Sequence, residues 1–179
     1  LYGPTGISGF VMNPEIKLPS VLYGGTGTES ANQDMPESIP ERFEMGTLNI
    51  SGIAGLNAAL KWNNDIGLDE ISRKENENRN KLISILEGYD WLKIVGNVPG
   101  NHYVGIVSCL ISGISSDSAG TIFNEQGIAV RTGLQCAPLA HRFLSTFPAG
   151  TIRFSVGYFT CDKDFEELKS ALDFIEGEM

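Results

Sequence analysis

The stretch Gly127-Ile-Ala-Val-Arg131-Thr-Gly133-Leu-Gln135-Cys136-Ala-Pro138 holds most of what the sequence says about fold and chemistry. Ile128, Ala129 and Val130 form a short apolar run that reads as a buried strand ending in Arg131. Gly133 then turns the chain, and Cys136 follows on a loop. A cysteine just past a strand end can be exposed and mobile, and a neighbouring guanidinium favours the thiolate, the nucleophilic form of sulfur. The same residue also reads as a buried structural cysteine, since free cysteine is among the most buried residue types. The motif alone leaves both readings open.

Upstream, Ser116 to Gln126 reads as a helix with Gly127 as its left-handed C-terminal residue. Trp91 to Val95 and Tyr103 to Leu110 read as strands joined by the loop from Gly96 to Gly100. Downstream, Thr151 to Val156 reads as a strand in which Arg153 faces away from its apolar neighbours Ile152 and Phe154. An arginine so placed either grips a carboxylate through its bidentate fork or reaches solvent from a sheet edge. The last helix runs from about Asp162 to Glu178, with Phe165, Leu168, Leu172 and Ile175 on one face. Asp162 and Asp164 suit the positive end of its dipole.

Toward the N-terminus, Ile53, Leu56 and Leu60 recur at helical spacing, with Ser51 placed to cap and Gly67 to close that helix. A second helix is expected from about Leu68 to Leu86, its polar middle from Arg73 to Lys81 solvated. Residues 1 to 50 carry little periodicity. Gly9 to Met12 reads as a short strand, Tyr23 to Thr28 as a glycine-rich loop, and the whole segment as extended against something larger. The element order after residue 50 is α-α-β-β-α-β-β-α, an α/β domain with α+β character in which helices cover a small mixed sheet. The expected organisation is a tail over residues 1–50 and a small domain over 51–179.

Composition narrows the partners. The 179 residues carry 22 acidic and 13 basic side chains, a net charge of −9, which gives no general attraction to nucleic acid or anionic membrane. No apolar run is long enough to span a bilayer. The three cysteines, Cys109, Cys136 and Cys161, are odd in number and widely spaced, which suits a reducing, cytoplasmic setting. With only His102 and His141 beside them, no metal-ligand spacing occurs. Cys109 reads as core, Cys161 as a helix-start residue, and His141 as polar surface or a base. In Arg42-Phe-Glu-Met-Gly46-Thr47-Leu-Asn49, a hydroxyl and backbone N–H groups precede a helix and could receive a phosphate, or simply lead into it.

Taken in order, these windows resemble the cysteine desulfurase branch of the class V aminotransferases, pyridoxal 5'-phosphate enzymes of fold type I. LYGPTGISGF (1–10) resembles the segment that follows the cofactor lysine, and RFEMGTLNISGIAGLNAAL (42–60) the entry into the small domain. GIAVRTGLQCAPLAH (127–141) is similar to the catalytic cysteine loop, and TIRFSVGYFT (151–160) to the strand bearing a substrate arginine. The resemblance implies that Cys136 is the nucleophile that takes sulfur from cysteine and becomes a persulfide. It implies that Arg153 clamps the substrate carboxylate, with Arg131 near the same pocket. It implies that Gly46 and Thr47 reach the cofactor phosphate of the partner subunit in a homodimer, and that the sulfur passes to an acceptor. Gln135 departs from the pattern, since many relatives carry histidine there. The resemblance sets the cofactor lysine immediately before Leu1, which is not a methionine. The expectation is therefore a C-terminal portion that by itself lacks desulfurase activity, holds no cofactor covalently and self-associates through uncovered apolar surface. A selenocysteine lyase, a transaminase of the same family, and a non-catalytic partner-binding module are the alternatives.

Overall fold

The computed structural model describes residues 1–29 and 31–178, which form two compact units, Leu1–Ile66 and Gly67–Met179. The sequence placed the division near residue 50; the helix that follows it groups instead with the first unit.

That helix, α1 (Ile50–Ile66), is the organising element of the first unit. Its N-terminus is capped by Asn49 rather than Ser51. The Asn49 Oδ1 accepts from the Gly52 N–H at 3.0 Å, and Ser51 Oγ donates to the same oxygen. The first residues of the chain lie along α1. Asn63 Nδ2 donates to the Leu1 carbonyl at 2.8 Å and to the Ala59 carbonyl at 2.7 Å. Tyr2 meets Trp62 edge to face at 5.4 Å. Gly55 leaves room for Pro4, whose Cγ would stand 2.7 Å from any Cβ there. Residues 9–12 form no strand; they run irregularly, and Phe10 packs its ring edge to face against Phe43. A strand needs a partner for its N–H and C=O groups, and the described residues of this unit contain no other strand. A single 3-10 turn spans Glu41–Phe43.

The second unit begins with α2 (Leu68–Leu86), entered through Gly67 at φ +87°. Then follow β1 (Leu92–Val95), β2 (Ile106–Ile111), α3 (Ser116–Glu125), β3 (Arg131–Gly133), α4 (Pro138–Phe143), β4 (Thr151–Ser155) and α5 (Asp162–Glu178). The strands make one sheet in the order β1-β2-β4-β3. Every pairing is antiparallel, so the sheet is not the mixed one expected. Leu82 and Leu86 of α2, Phe123 of α3, and Phe165, Leu168 and Leu172 of α5 pack with Val107, Cys109, Ile152 and Phe154 of the sheet. Those sheet residues all lie on one face, so α2, α3 and α5 cover one side of the sheet; the other carries Arg131, Arg153, Thr151 and Ser108 beside the apolar Val95, Ile106 and Leu110. Gly120 lets α3 come close to β3, where a Cβ would stand 2.4 Å from Thr132 Cγ2.

The polar middle of α2 is not uniformly solvated. Arg73 bridges Glu70 and Glu77 at the surface, as such a pattern suggests. Arg79, however, is buried, stacks over the Tyr103 ring at 4.2 Å, and donates to the Ile106 carbonyl and Asn97 Oδ1. Asn78 Nδ2 donates to the carbonyls of Gly157 and Thr160. Both side chains tie α2 to neighbouring loops that a helical wheel cannot see.

Phe123 has no exposed surface and meets Phe154 edge to face at 5.3 Å. Phe123→Ala is expected to destabilise the protein by about 3–5 kcal/mol through lost transfer energy and the cavity left behind. The urea midpoint should fall with little change in slope. A midpoint near that of the parent would show that this core does not hold α3 to the sheet.

Candidate functional site

The face of the sheet that no helix covers carries the candidate residues. β3 is an edge strand, and its pairing with β4 sets Arg131 directly opposite Arg153. Arg153 lies between the buried Ile152 and Phe154 in sequence and points to the opposite face, as the alternation requires. Two like charges directly across a ladder are unfavourable unless an anion lies between or beside them. Among the described residues neither guanidinium is ion-paired with a carboxylate.

The strand run expected at residues 128–130 is displaced, with the paired residues being Arg131–Gly133. Ile128 and Val130 instead pack irregularly against the core. After Gly133 the chain reverses in a tight turn in which the Ala137 N–H donates to the Leu134 carbonyl at 2.8 Å. The two central residues, Gln135 and Cys136, have φ of +52° and +60°. Left-handed backbone at a non-glycine residue costs about 1–2 kcal/mol, and here it occurs twice in succession. The turn carries Cys136 back so that its sulfur lies 3.6 Å from Arg131 Nη2. Cys136 is exposed, which removes the structural-core reading of this residue.

Buried polar atoms without a partner concentrate here. Arg153 Nε, Thr151 Oγ1 and Gln135 Oε1 are three of the four such side-chain atoms among the described residues. Thr151 is two residues from Arg153, hence on the same face, and pairs with Gly133. Orphaned buried polar groups are rare in proteins, and each marks strain, a catalytic role or a partner supplied by water or an ion. The close approach of β4 to β3 depends on Gly150, at φ +75°, where a Cβ would stand 2.2 Å from the Gly133 carbonyl carbon.

The short helix α4 went unread in the sequence, although Pro138 at its first turn is a start signal. Its His141 is not a surface residue. It is buried, with Nδ1 2.7 Å from Thr146 Oγ1, and it ties α4 to the segment that leads into β4. Leu139 and Phe143 of α4 are exposed. The remaining cysteines separate cleanly. Cys161 is exposed just before α5, its N–H donating to Asp164 Oδ2. Cys109 is buried in β2, and loss of solvent pushes its thiol up to about 12. Iodoacetamide at neutral pH should therefore leave Cys109 unlabelled in the folded protein while labelling Cys136 and Cys161. Peptide mapping that found Cys109 modified at a comparable rate would contradict that burial.

In the first unit, Gly46 and Thr47 precede α1. The Gly46 N–H already donates to the Gly25 carbonyl at 2.8 Å, so it is not free for a phosphate. Thr47 is exposed, and its hydroxyl has no hydrogen-bond partner among the described residues. A hydroxyl so placed fits a phosphate oxygen; of the pair, Thr47 alone retains a free donor.

The profile of the class-V aminotransferases matches residues 1–168. The chain belongs to the class-V aminotransferase family. Its curated relatives include a cysteine desulfurase of Synechococcus elongatus, 31% identical over 98% of this chain and 28% of the relative. A probable cysteine desulfurase of Pyrococcus abyssi is 34% identical over 97% of this chain and 43% of the relative. The apo structure of a cysteine desulfurase from Thermococcus onnurineus superposes with a TM-score of 0.74 at 25% identity, covering 89% of this chain and 40% of that one. The chain thus spans less than half the length of these relatives. The α/β fold is that of a domain of the pyridoxal-phosphate enzymes of fold type I. Among the described residues no helix is long and apolar enough to cross a membrane.

Proposed function

We propose that these residues form the sulfur-accepting and carboxylate-gripping part of a pyridoxal-phosphate-dependent cysteine desulfurase. The observation that carries the reading is the exposed Cys136 sulfur, 3.6 Å from Arg131 Nη2, with Arg153 directly across the ladder from Arg131. A nucleophilic sulfur beside a pair of guanidiniums lacking carboxylate partners matches a small substrate that carries both a carboxylate and a transferable sulfur.

Pyridoxal phosphate, when bound, supplies the electron sink that loosens the carbon–sulfur bond of the substrate. The chain's own residues supply position and the acceptor. Arg153 offers its fork to the substrate carboxylate, with Nε and the terminal nitrogens as donors. Arg131 helps to hold the same anion and keeps its guanidinium beside Cys136. The Cys136 thiolate attacks the substrate sulfur. The new S–S bond forms as the C–S bond breaks, its electron pair stays with the carbon fragment, and protonation there yields alanine. Cys136 is left as a persulfide, and a sulfur acceptor takes the terminal sulfur. Thr47 would donate its hydroxyl to the cofactor phosphate of the partner subunit in a homodimer. In the family resemblance the cofactor lysine corresponds to none of this chain's lysines, so the reaction is assigned to the longer polypeptide, and these residues alone are expected to be inactive.

The reading is tested by giving cysteine to the full-length protein with its cofactor and mapping the Cys136 peptide by mass spectrometry. A gain of one sulfur atom on Cys136, lost on treatment with a thiol, is the expected result. Alanine formed at full rate with no sulfur ever found on Cys136 would overturn it.

A further inference from the structure

We infer that Gln135 is a positioning residue that folds the cysteine turn back against the edge of the sheet and so keeps the Cys136 sulfur beside Arg131. The inference rests on the reading of Cys136 as the sulfur acceptor and goes beyond it by naming what holds that acceptor in place.

The geometry poses a problem for the chain. β3 is only three residues long and lies at the sheet edge. Within three residues of leaving it, the backbone must return the Cys136 sulfur to the guanidinium of Arg131. It does so through successive left-handed residues, neither of them glycine. Cys136 is exposed and Gln135 only partly buried, and neither belongs to the core cluster. The Ala137 N–H to Leu134 carbonyl bond closes the turn, and the Gln135 side chain ties the closed turn back to β3. Its Nε2 donates to the Arg131 carbonyl at 3.2 Å and, at the limit of reach, to the Gly133 carbonyl at 3.5 Å. Carbonyls two residues apart in a strand point the same way, so one amide group can serve both. The amide cannot be reversed, because Oε1 would then face two carbonyl oxygens. Its Oε1 is instead left buried without a partner among the described residues. Strained backbone and an orphaned polar atom together, in a turn that presents an exposed nucleophile, mark a conformation kept for function rather than stability.

Only the donor matters in this account. Gln135→Glu preserves size but presents a carboxylate, which only accepts. Gln135→Leu removes the donor without adding charge. Gln135→Lys restores a donor on a longer, flexible stem. In the full-length protein with cofactor, Gln135→Glu and Gln135→Leu are expected to lower kcat for sulfur release by roughly tenfold with KM for cysteine little changed, because Arg153 and the β3–β4 pairing are untouched. Gln135→Lys should recover most of the loss. In a Cys161→Ser background without cysteine, alkylation of Cys136 by iodoacetamide should slow by a similar factor in the Glu and Leu variants and recover in Lys.

Wild-type kcat and wild-type alkylation in both donor-less variants would overturn the inference, and so would a loss that Lys does not repair. If one donor-less variant fails to fold, the other decides. Should Cys136→Ser keep full sulfur transfer, the desulfurase reading fails, and the alkylation rates decide the positioning claim by themselves.

Discussion

Cys136→Ser in the full-length protein should reduce sulfur release from cysteine by at least about a thousandfold. A serine hydroxyl at this position is a far weaker nucleophile than a thiolate, and it cannot carry the transferred atom as a persulfide. The change is otherwise small. Cys136 is exposed and outside the core cluster, so the thermal midpoint should stay within a few degrees. The left-handed backbone at this residue is already imposed on a non-glycine side chain, and serine adds no bulk to it. A single-turnover measurement with cysteine separates the alternatives within the family. A desulfurase loses the chemical step while still binding substrate. A transaminase keeps amino-group transfer, because its reaction never needs a sulfur acceptor. A selenocysteine lyase should lose little activity toward selenocysteine, since the weaker carbon–selenium bond depends less on an attacking thiolate. Turnover with cysteine that survives the substitution would leave Cys136 as a bystander, and the Arg131 contact would then need another explanation.

How far the sequence could be read depended on whether the deciding interaction was local. The bounds of α2 and α5 agree with the expected ones because their signals lie within the elements. Gly67 supplies the positive φ before α2, and Asp162 and Asp164 occupy the first turn of α5 beneath a clear apolar stripe. The strands were legible in kind and less so in extent. Ile128 to Val130 has the composition of a strand, but pairing is set by the partner, and β4 offers Arg153, Ile152 and Thr151 to residues 131–133. Residues 9–12 have strand composition and no partner. Arg79 lies in a polar run, and its burial comes from Tyr103, the Ile106 carbonyl at the start of β2 and the Asn97 side chain, contacts some twenty residues away in sequence. The candidate site was legible as residue types: Cys136, Arg131 and Arg153 were each marked by their windows. The family resemblance put Arg131 near the pocket of Arg153, but the geometry that joins them was not legible. The register that opposes the two arginines and the double left-handed turn that returns the sulfur are tertiary facts. No glycine marks positions 135 and 136, so nothing in the composition of the loop announces that turn.

Arg153→Leu should separate binding from stability, moving the two in opposite directions. As the fork offered to the substrate carboxylate, Arg153 contributes a charge-assisted pair in a site partly removed from water, and truncating such a pair typically costs about 2–5 kcal/mol. For kcat/KM with cysteine this is a loss of about 30-fold to several thousandfold, carried mainly by KM if the contact is already made in the ground state. The folded protein experiences the same change differently. Arg153 lies across the ladder from Arg131, with its Nε buried and without a partner among the described residues. An apolar side chain removes both the like-charge pair and the orphaned donor, so the unliganded protein should be as stable as the parent or more so, by up to about 1 kcal/mol. Arg153→Lys keeps the charge and loses the fork; it should recover the stability of the parent and little of the binding. A purely structural arginine predicts the reverse, with stability falling in the Leu variant and catalysis falling only in proportion to the folded fraction. If the Leu variant proved less stable and fully active once folded, Arg153 would belong to the scaffold, and the carboxylate site would have to be sought at Arg131 alone.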